Sequence, residues 1–547
     1  MRSASANRLG IPGRVPRIGQ SANMEGLASA VLGCAALMVA TGLAHAQQPK
    51  RGGTLNFAVV AEPPNYDCHA STTFALIHPI APHYSLLVKF DGEGYPKVIP
   101  DLAQSWTIAP DGLTLTFKLK GPVQFHDGSP LTSEDVKASY ERIINPPPGV
   151  VSIRRSYYAN LTVQAPDPAT VIFKLLSPMA GVLEALASPF NCIYSAAKLK
   201  ANPRYPETEI MGSGPFTLLA HVRGTSWEGR RFAGYFDTGK PYLDGYKAFF
   251  VKSNRVVPGI LGGQFDAEFR GRNPSETARL LAKMKDDLAV FEGSWVSNLM
   301  IVFNTSRKPF DDVRVRQALS LAIDRWGGAE ALSKISVLKY VGGVLRPGYA
   351  MALPEVELVT LPGFSKDIAK SREEAKKLLE EAGASNLQFK LLNRNIAEPF
   401  TPGGNYSIDQ WRRIGVSATH EQLEIKLYQD RMAAGDFDVA IEFQADCMDD
   451  PTAQFSKFLT KNASPSGYSG HTDIKLDDMY DRQRRTIDLT ERLKIVHEME
   501  RYALVQAYNV PLLWWQRTLV NHKKIKGWYM TPSHYLWQDL STVWLDQ

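Results

Sequence analysis

The stretch Trp295–Arg325, WVSNLMIVFNTSRKPFDDVRVRQALSLAIDR, decides how the rest of the chain is read. Leu299, Met300, Ile301, Val302 and Phe303 form an unbroken apolar run of strand length, the pattern of a strand covered on both faces. After Pro309 the period changes. Asp311 and Asp312 place negative charge at the start of a segment in which Val315, Ala318, Leu319, Ala322 and Ile323 recur at helical spacing. A buried strand feeding a helix just past the middle of the chain suggests a crossing from one lobe into another. The strand is expected to act as a pivot, with Ser297 and Asn298 its only residues facing a cleft.

At 547 residues the chain exceeds what one core serves, and two or three domains of about 100–200 residues are expected. A hydrophobic fraction of 44% and a charged fraction of 22% exclude both a disordered tail and a polytopic membrane protein. The net charge of +6 is spread over 60.7 kDa without a dense basic cluster, so nucleic acid is not an expected partner. Arg2, Arg8, Arg14 and Arg17 precede an apolar run from Leu27 to Leu43, and Ala44, His45 and Ala46 supply a small-x-small cleavage site. Residues 1–46 therefore read as a secretory signal peptide cut after Ala46, with Met1 or Met24 as the start. A single-span anchor is the alternative, but the run is short for a membrane span. Its removal takes away four Arg and one Glu, leaving net charge +3 and no later run long enough to cross a membrane. Cys68, Cys192 and Cys447 remain, far apart and odd in number. They read as buried thiols, although export would permit one disulfide.

Along the chain, Leu55, Phe57 and Val59 mark a first strand ended by Pro63 and Pro64. Leu113, Leu115, Phe117 and Leu119 alternate strictly with Thr and Lys between the turn pairs Asp111-Gly112 and Asp127-Gly128. Thr132 with Asp135 then caps a helix carrying Val136, Tyr140 and Ile143. Thr170–Leu175 is another alternating strand. Ser371–Gly383 reads as a helix with a Ser371/Glu374 capping box and a glycine stop, Asp436–Glu442 as a strand, and Asp477–Tyr508 as a long helical region. Helices and strands are mixed throughout, which predicts an α/β architecture with antiparallel hairpins added.

Motifs for catalysis are weak. Gly234–Lys240, GYFDTGK, has P-loop spacing, but Pro241 stands where a magnesium-binding hydroxyl belongs. Ser469 in GYSGH lacks the second glycine of a nucleophile elbow, and His497 in HEMER lacks the second histidine of a zincin. Cys68, His69, His78 and His83 are soft ligands close in sequence, yet Pro79 and Pro82 point to an irregular loop and satisfied structural histidines. No cofactor is expected.

Several segments in order, RGGTL, DLAQSW, DGLTLTFKLKGPVQFHDGSPLTSEDVKASYERI, GSGPFTL, GKPYLDGY, FNTSRKPFDDVRVRQALSLAIDR and VPLLWW, resemble the family 5 solute-binding proteins of bacterial ABC importers, the peptide- and nickel-binding group. The resemblance covers nearly all of the mature chain. It implies a class II periplasmic-binding fold with two α/β lobes, two crossings and an inserted domain. The implied limits are 47–85 and 205–300 for the first lobe, completed by 510–547, 86–204 for the insert, and 301–509 for the second lobe. The second crossing is expected at Asn509–Trp515. The implied function is capture of a di- or oligopeptide or related amphoteric molecule, without reaction, and delivery to ABC permease subunits by a monomeric periplasmic receptor. Nickel-chelate, sugar and opine receptors are alternatives within the family. A periplasmic hydrolase or a module serving a chemoreceptor are alternatives outside it.

In peptide-binding relatives a strand ends in an aromatic residue, followed by an aspartate for the peptide's α-amino group, then an acid and proline. Phe443, Asp446, Asp450 and Pro451 in IEFQADCMDDPTAQF resemble that order, with Asp449 able to take the role of Asp446 because one residue is extra. A desolvated ammonium needs a charged, hydrogen-bonded partner, which is the physical case for an aspartate; a solvated acidic turn is the alternative. Arg394, ahead of Arg346 and Arg307, is the expected fork for a ligand carboxylate. Tyr406 is an expected aromatic wall of the pocket, as are Trp514 and Trp515.

Overall fold

Two long strands, Leu288–Phe303 and Asn509–His522, run antiparallel through the centre of the computed structural model, which describes residues 48–547 apart from 153 and 159. Their register is continuous from Leu288 opposite His522 to Ser294 opposite Gln516, and resumes at Asn298 opposite Trp514. The two extra residues on the first strand make a bulge around Trp295–Ser297. A bulge bends its strand and increases the local twist, and here it lies where the pair passes from one sheet environment into another.

On one side of the bulge the pair adjoins a five-stranded sheet. Its order is Ala267–Glu268, Thr54–Val59, Gly245–Phe250, Ser226–Arg231, Phe216–Val222, with Thr54–Val59 parallel to both its neighbours. The His522 N–H donates to the Asp266 carbonyl, and the Arg272 N–H to that of Thr518. On the other side the pair enters a six-stranded sheet of order Leu338–Tyr340, Asn509–His522, Leu288–Phe303, Val439–Ala445, Gln388–Arg394, Ser417–Leu423. Leu299, Ile301 and Phe303 pack with Leu391, Ile441 and Leu513 on one face, and Met300 and Val302 with Leu392, Ala440 and Phe455 on the other. Burial on both faces is why the run has no polar alternation.

A third, four-stranded antiparallel sheet, Ala103–Ile108, Thr114–Leu119, Thr170–Leu175, Leu161–Asp167, packs its Leu115, Phe117 and Phe173 against Val136 and Tyr140 of the helix Ser133–Ile144. The Asp135 carboxylate accepts the Thr132 N–H at 2.7 Å, closing the expected capping box. Cys447, Met448 and Ala453 belong to the same core, so the loop after Val439–Ala445 is anchored in the insert. These are the two lobes, two crossings and inserted domain of the class II periplasmic-binding fold.

Three local expectations need correction. Cys68 and Cys192 form a disulfide, 124 residues apart, and among the described residues Cys447 is the one free, buried thiol. The turn at Cys68–Ala70 meets the Cys192 segment, with the Cys68 N–H donating to the Tyr194 hydroxyl at 2.8 Å and His69 Nε2 3.0 Å from the Cys192 carbonyl, contacts with no local signature. The helix expected from Ser371 begins a turn earlier, as Ile368–Glu381, with Asp367 accepting the Lys370 N–H; Ser371 is buried inside it, and Gly383 at φ +67° ends it. The long helical region is two helices, Ile474–Arg485 and Leu489–Gln506, the second capped by Asp488.

Candidate ligand-binding cleft

The loop leaving Val439–Ala445 carries three acids in different states. Asp450 caps the turn Pro451–Gln454 and pairs with Arg492 at 2.8 Å. Asp449, 1% exposed, accepts Arg346 through Nε at 2.9 Å and Nη2 at 2.7 Å, and its N–H donates to the Tyr95 hydroxyl. Asp446 is half-buried and, among the described residues, meets no cation. Its Oδ1 accepts the Cys447 N–H at 2.6 Å and its Oδ2 accepts the hydroxyl of Tyr157, from the insert, at 3.0 Å. The burial of Cys447 and Met448 in the insert core holds Asp446 at this junction. A carboxylate oriented by two donors and not ion-paired suits an incoming ammonium.

Phe443, three residues before Asp446, starts an aromatic cluster. Phe443 stacks on Trp515, centroids 6.2 Å apart and planes at 20°, and meets Phe400 edge-on at 5.7 Å. Trp515 in turn meets Trp295, from the bulge, at 5.6 Å. The Trp295 indole N–H donates to His534 Nδ1 at 3.0 Å, and His534 lies 3.9 Å from the Tyr535 ring. Burial pushes the Tyr535 phenol up to about 12, and Arg270, Asp446 and Arg154 all act on it electrostatically. Residues from both lobes and the insert thus converge at one place.

Two arginines here were not legible in the sequence. Arg154 donates to the Ser71 carbonyl at 2.8 Å and rests 3.8 Å over the Phe190 ring; Arg270 lies 4.9 Å from Phe74 and 5.9 Å from Trp295. Neither has a carboxylate partner among the described residues, and the buried Nε of Arg270 has no acceptor. Being unpaired is a tertiary property, and RRSYY and FRGRN carry no motif that announces it.

The model of the bacterial extracellular solute-binding proteins, family 5, middle region, matches residues 97–466. The chain belongs to this family. Over 485 residues, 82% of this chain and 87% of the relative, it is 27% identical to the dipeptide-binding protein of Escherichia coli K12. It is 32% identical to the glutathione-binding protein GsiB of Salmonella typhimurium over 291 residues, 52% of this chain. That match spans about half (53%) of the relative's length. Among solved structures, CtaP of Listeria monocytogenes superimposes with a TM-score of 0.79 at 22% identity, covering 91% of this chain and 100% of that one. AgaA of A. tumefacien R10, in complex with agropinic acid, gives 0.75 at 24%, covering 90% and 99%. These likenesses establish the fold.

In this family 5 protein the other expected site residues lie as follows. Arg394 is 2.5 Å from Glu442, which also accepts Lys457 at 2.8 Å. Burial pushes the Glu442 carboxyl up, but Lys457 and Arg394 outweigh it and hold it down at about 2. The Arg394 guanidinium also sits 4.9 Å from the Phe443 ring, so it buttresses the wall while committed to Glu442. Ser297 and Asn298 are buried at the bulge; Asn298 Nδ2 donates to Gln444 at 3.2 Å, while its Oδ1 has no partner. Tyr406 donates to the Asp324 carbonyl at 2.6 Å and borders a separate surface hollow with Ile335 and Gln422. Arg307 pairs with Asp436 and Asp438.

The histidines considered for metal are occupied with structure. His69, His78 and His83 face the carbonyls of Cys192, His534 and Phe216 at 2.8–3.0 Å, and burial lowers each to about 3. Among the described residues no group of three or more His, Cys, Asp or Glu is placed to hold a metal ion.

Proposed function

We propose that this family 5 protein is the exported receptor of an ABC importer. It closes two lobes around a di- or oligopeptide or related amphoteric compound, and it presents the closed form to membrane permease subunits without carrying out a reaction. One observation carries the reading: Asp446 is a half-buried, doubly hydrogen-bonded carboxylate without a cation, at the junction of second lobe and insert. An ammonium from the ligand would complete it, and a ligand touching both sides favours the closed state by its differential affinity.

Phe443 supplies an apolar wall beside it. Asp449 and Arg394 serve from behind, through their pairs with Arg346 and Glu442, and Ser297 and Asn298 hold the bulge where the lobes pivot. Tyr406 stands apart from this group. The three largest of the five sheets are consistent with lobe limits of 47–85 and 205–300 with 510–547, 301–509, and an insert of 86–204. The expected signal peptide, 1–46, lies outside the described residues; among those described, no helix is long and apolar enough to cross a membrane. A periplasmic location and a monomeric state complete the reading.

Native mass spectrometry of the purified protein tests it. A co-purified set of peptides, or one compound bearing an amine and a carboxylate, supports the reading. A bound sugar or a metal chelate without an amine would remove it.

A further inference from the structure

Resting on that reading, we infer that the cleft selects an amphoteric ligand with one ammonium and two carboxylates, the ammonium meeting Asp446 and the carboxylates meeting Arg154 and Arg270. The inference comes from which charges are already neutralised. Asp449 closes on Arg346, Asp450 on Arg492, and Glu442 is shared by Arg394 and Lys457. Two carboxylates on the segments that flank the arginines' contacts are also taken. Asp67, on the turn before Ser71, pairs with Arg142 at 2.6 Å, and Glu268, two residues from Arg270, pairs with Arg272 at 3.0 Å. Around Tyr535 this leaves the guanidinium groups of Arg154 and Arg270 and the carboxylate of Asp446 without an ion-pair partner among the described residues.

Ring contacts lead from both arginines to Tyr535. Arg154 lies on Phe190, which is 5.4 Å from the Tyr535 ring. Arg270 lies beside Trp295, which is 5.2 Å from His534, the neighbour of Tyr535. Phe190 and Trp295 offer their rings to the cations but no anion. A guanidinium packed against aromatic faces keeps its outward N–H groups in a fixed fork, the geometry that binds carboxylate with two hydrogen bonds. A cation removed from water without a counter-charge is costly, and a ligand carboxylate supplies the missing partner. The histidines around Arg270, His78 and His534, are buried and uncharged, so neither adds charge to compete for the ligand's carboxylates.

Calorimetric titration of the full chain, freed of co-purified ligand, with Ala-Glu, γ-Glu-Ala and Ala-Gln tests the inference. Ala-Glu and Ala-Gln have nearly the same shape and differ by one carboxylate. At least one of the two acidic peptides should bind ten times or more tighter than Ala-Gln, and either Arg154→Gln or Arg270→Gln should erase that preference. The comparison in the unaltered protein stands even if a variant fails to fold. Equal affinity for all three, with Asp446→Asn weakening each, would overturn the inference and leave the receptor reading intact. Binding of none of them would overturn the inference, while the co-purified ligand still decides the receptor reading.

Discussion

The hydroxyl of Tyr157, on the insert, donates at 3.0 Å to Oδ2 of Asp446, on the second lobe, across the junction where a ligand would enter. Asp446→Asn keeps the side chain's shape and removes its charge. Ligand affinity by calorimetry should fall at least tenfold, the ~1.4 kcal/mol or more of a lost charge-assisted hydrogen bond, while the melting temperature of the unliganded protein stays unchanged. Tyr157→Phe should weaken binding less, because the carboxylate survives and only its orientation is freed.

Asp449 should behave in the opposite way. It is fully buried on Arg346, which also donates to Ser294 at 2.6 Å beside the bulge. Asp449→Ala leaves a buried guanidinium without its partner, which costs about 3–5 kcal/mol. Urea unfolding should show that loss. In the double variant with Arg346→Met much of it should be recovered, since no buried charge is then left alone.

The Cys68–Cys192 disulfide ties the turn following the first strand to the end of the insert. A loop of this length is worth about 4–5 kcal/mol by the loop-closure model. Replacing both cysteines by serine should lower the unfolding midpoint accordingly and leave ligand affinity within about threefold, because neither sulfur belongs to the Asp446 group. A large loss of affinity without loss of stability would contradict this assignment.

Glu500 gives a pH dependence with a definite sign. Burial raises its carboxyl to about 7, against the opposing effect of the N–H groups of Leu345 and Leu353, which donate to it at 2.9 and 3.0 Å. With the folded value above the ordinary 4.5, its contribution to stability is complete below pH 4.5 and is lost as pH rises through about 7. That swing is roughly 3 kcal/mol. Glu500→Gln should flatten stability between pH 4.5 and 7 in chemical unfolding. An unchanged slope would show that Glu500 does not carry it.

The covered strand Leu299–Phe303 was legible because burial on two faces imposes an unbroken apolar run, and the capping box at Thr132 because its partners are three residues apart. Gly383 was legible as a stop because a left-handed turn favours glycine. The start of the helix at Asp367 was misplaced: two consecutive capping signals compete there, and the packing of Ser371 against the core decides between them. Around the candidate cleft, the sequence singled out the acidic loop but left Asp446 and Asp449 open, and it favoured Arg394 over arginines it did not notice.

The sequence by itself determined the mixture of helices and strands, the covered strand Leu299–Phe303 and the resemblance to family 5, because these rest on local periodicity and on motifs in a fixed order; the full length of the two crossing strands came from the fold. Only the tertiary structure decided which cysteines are bonded and which charges are already neutralised. Arg346, Arg394, Arg154 and Arg270 are the same kind of residue in a one-dimensional reading. They differ in whether a carboxylate from a distant segment has been folded against them, and that difference separates the charges that hold the protein together from those left for a ligand.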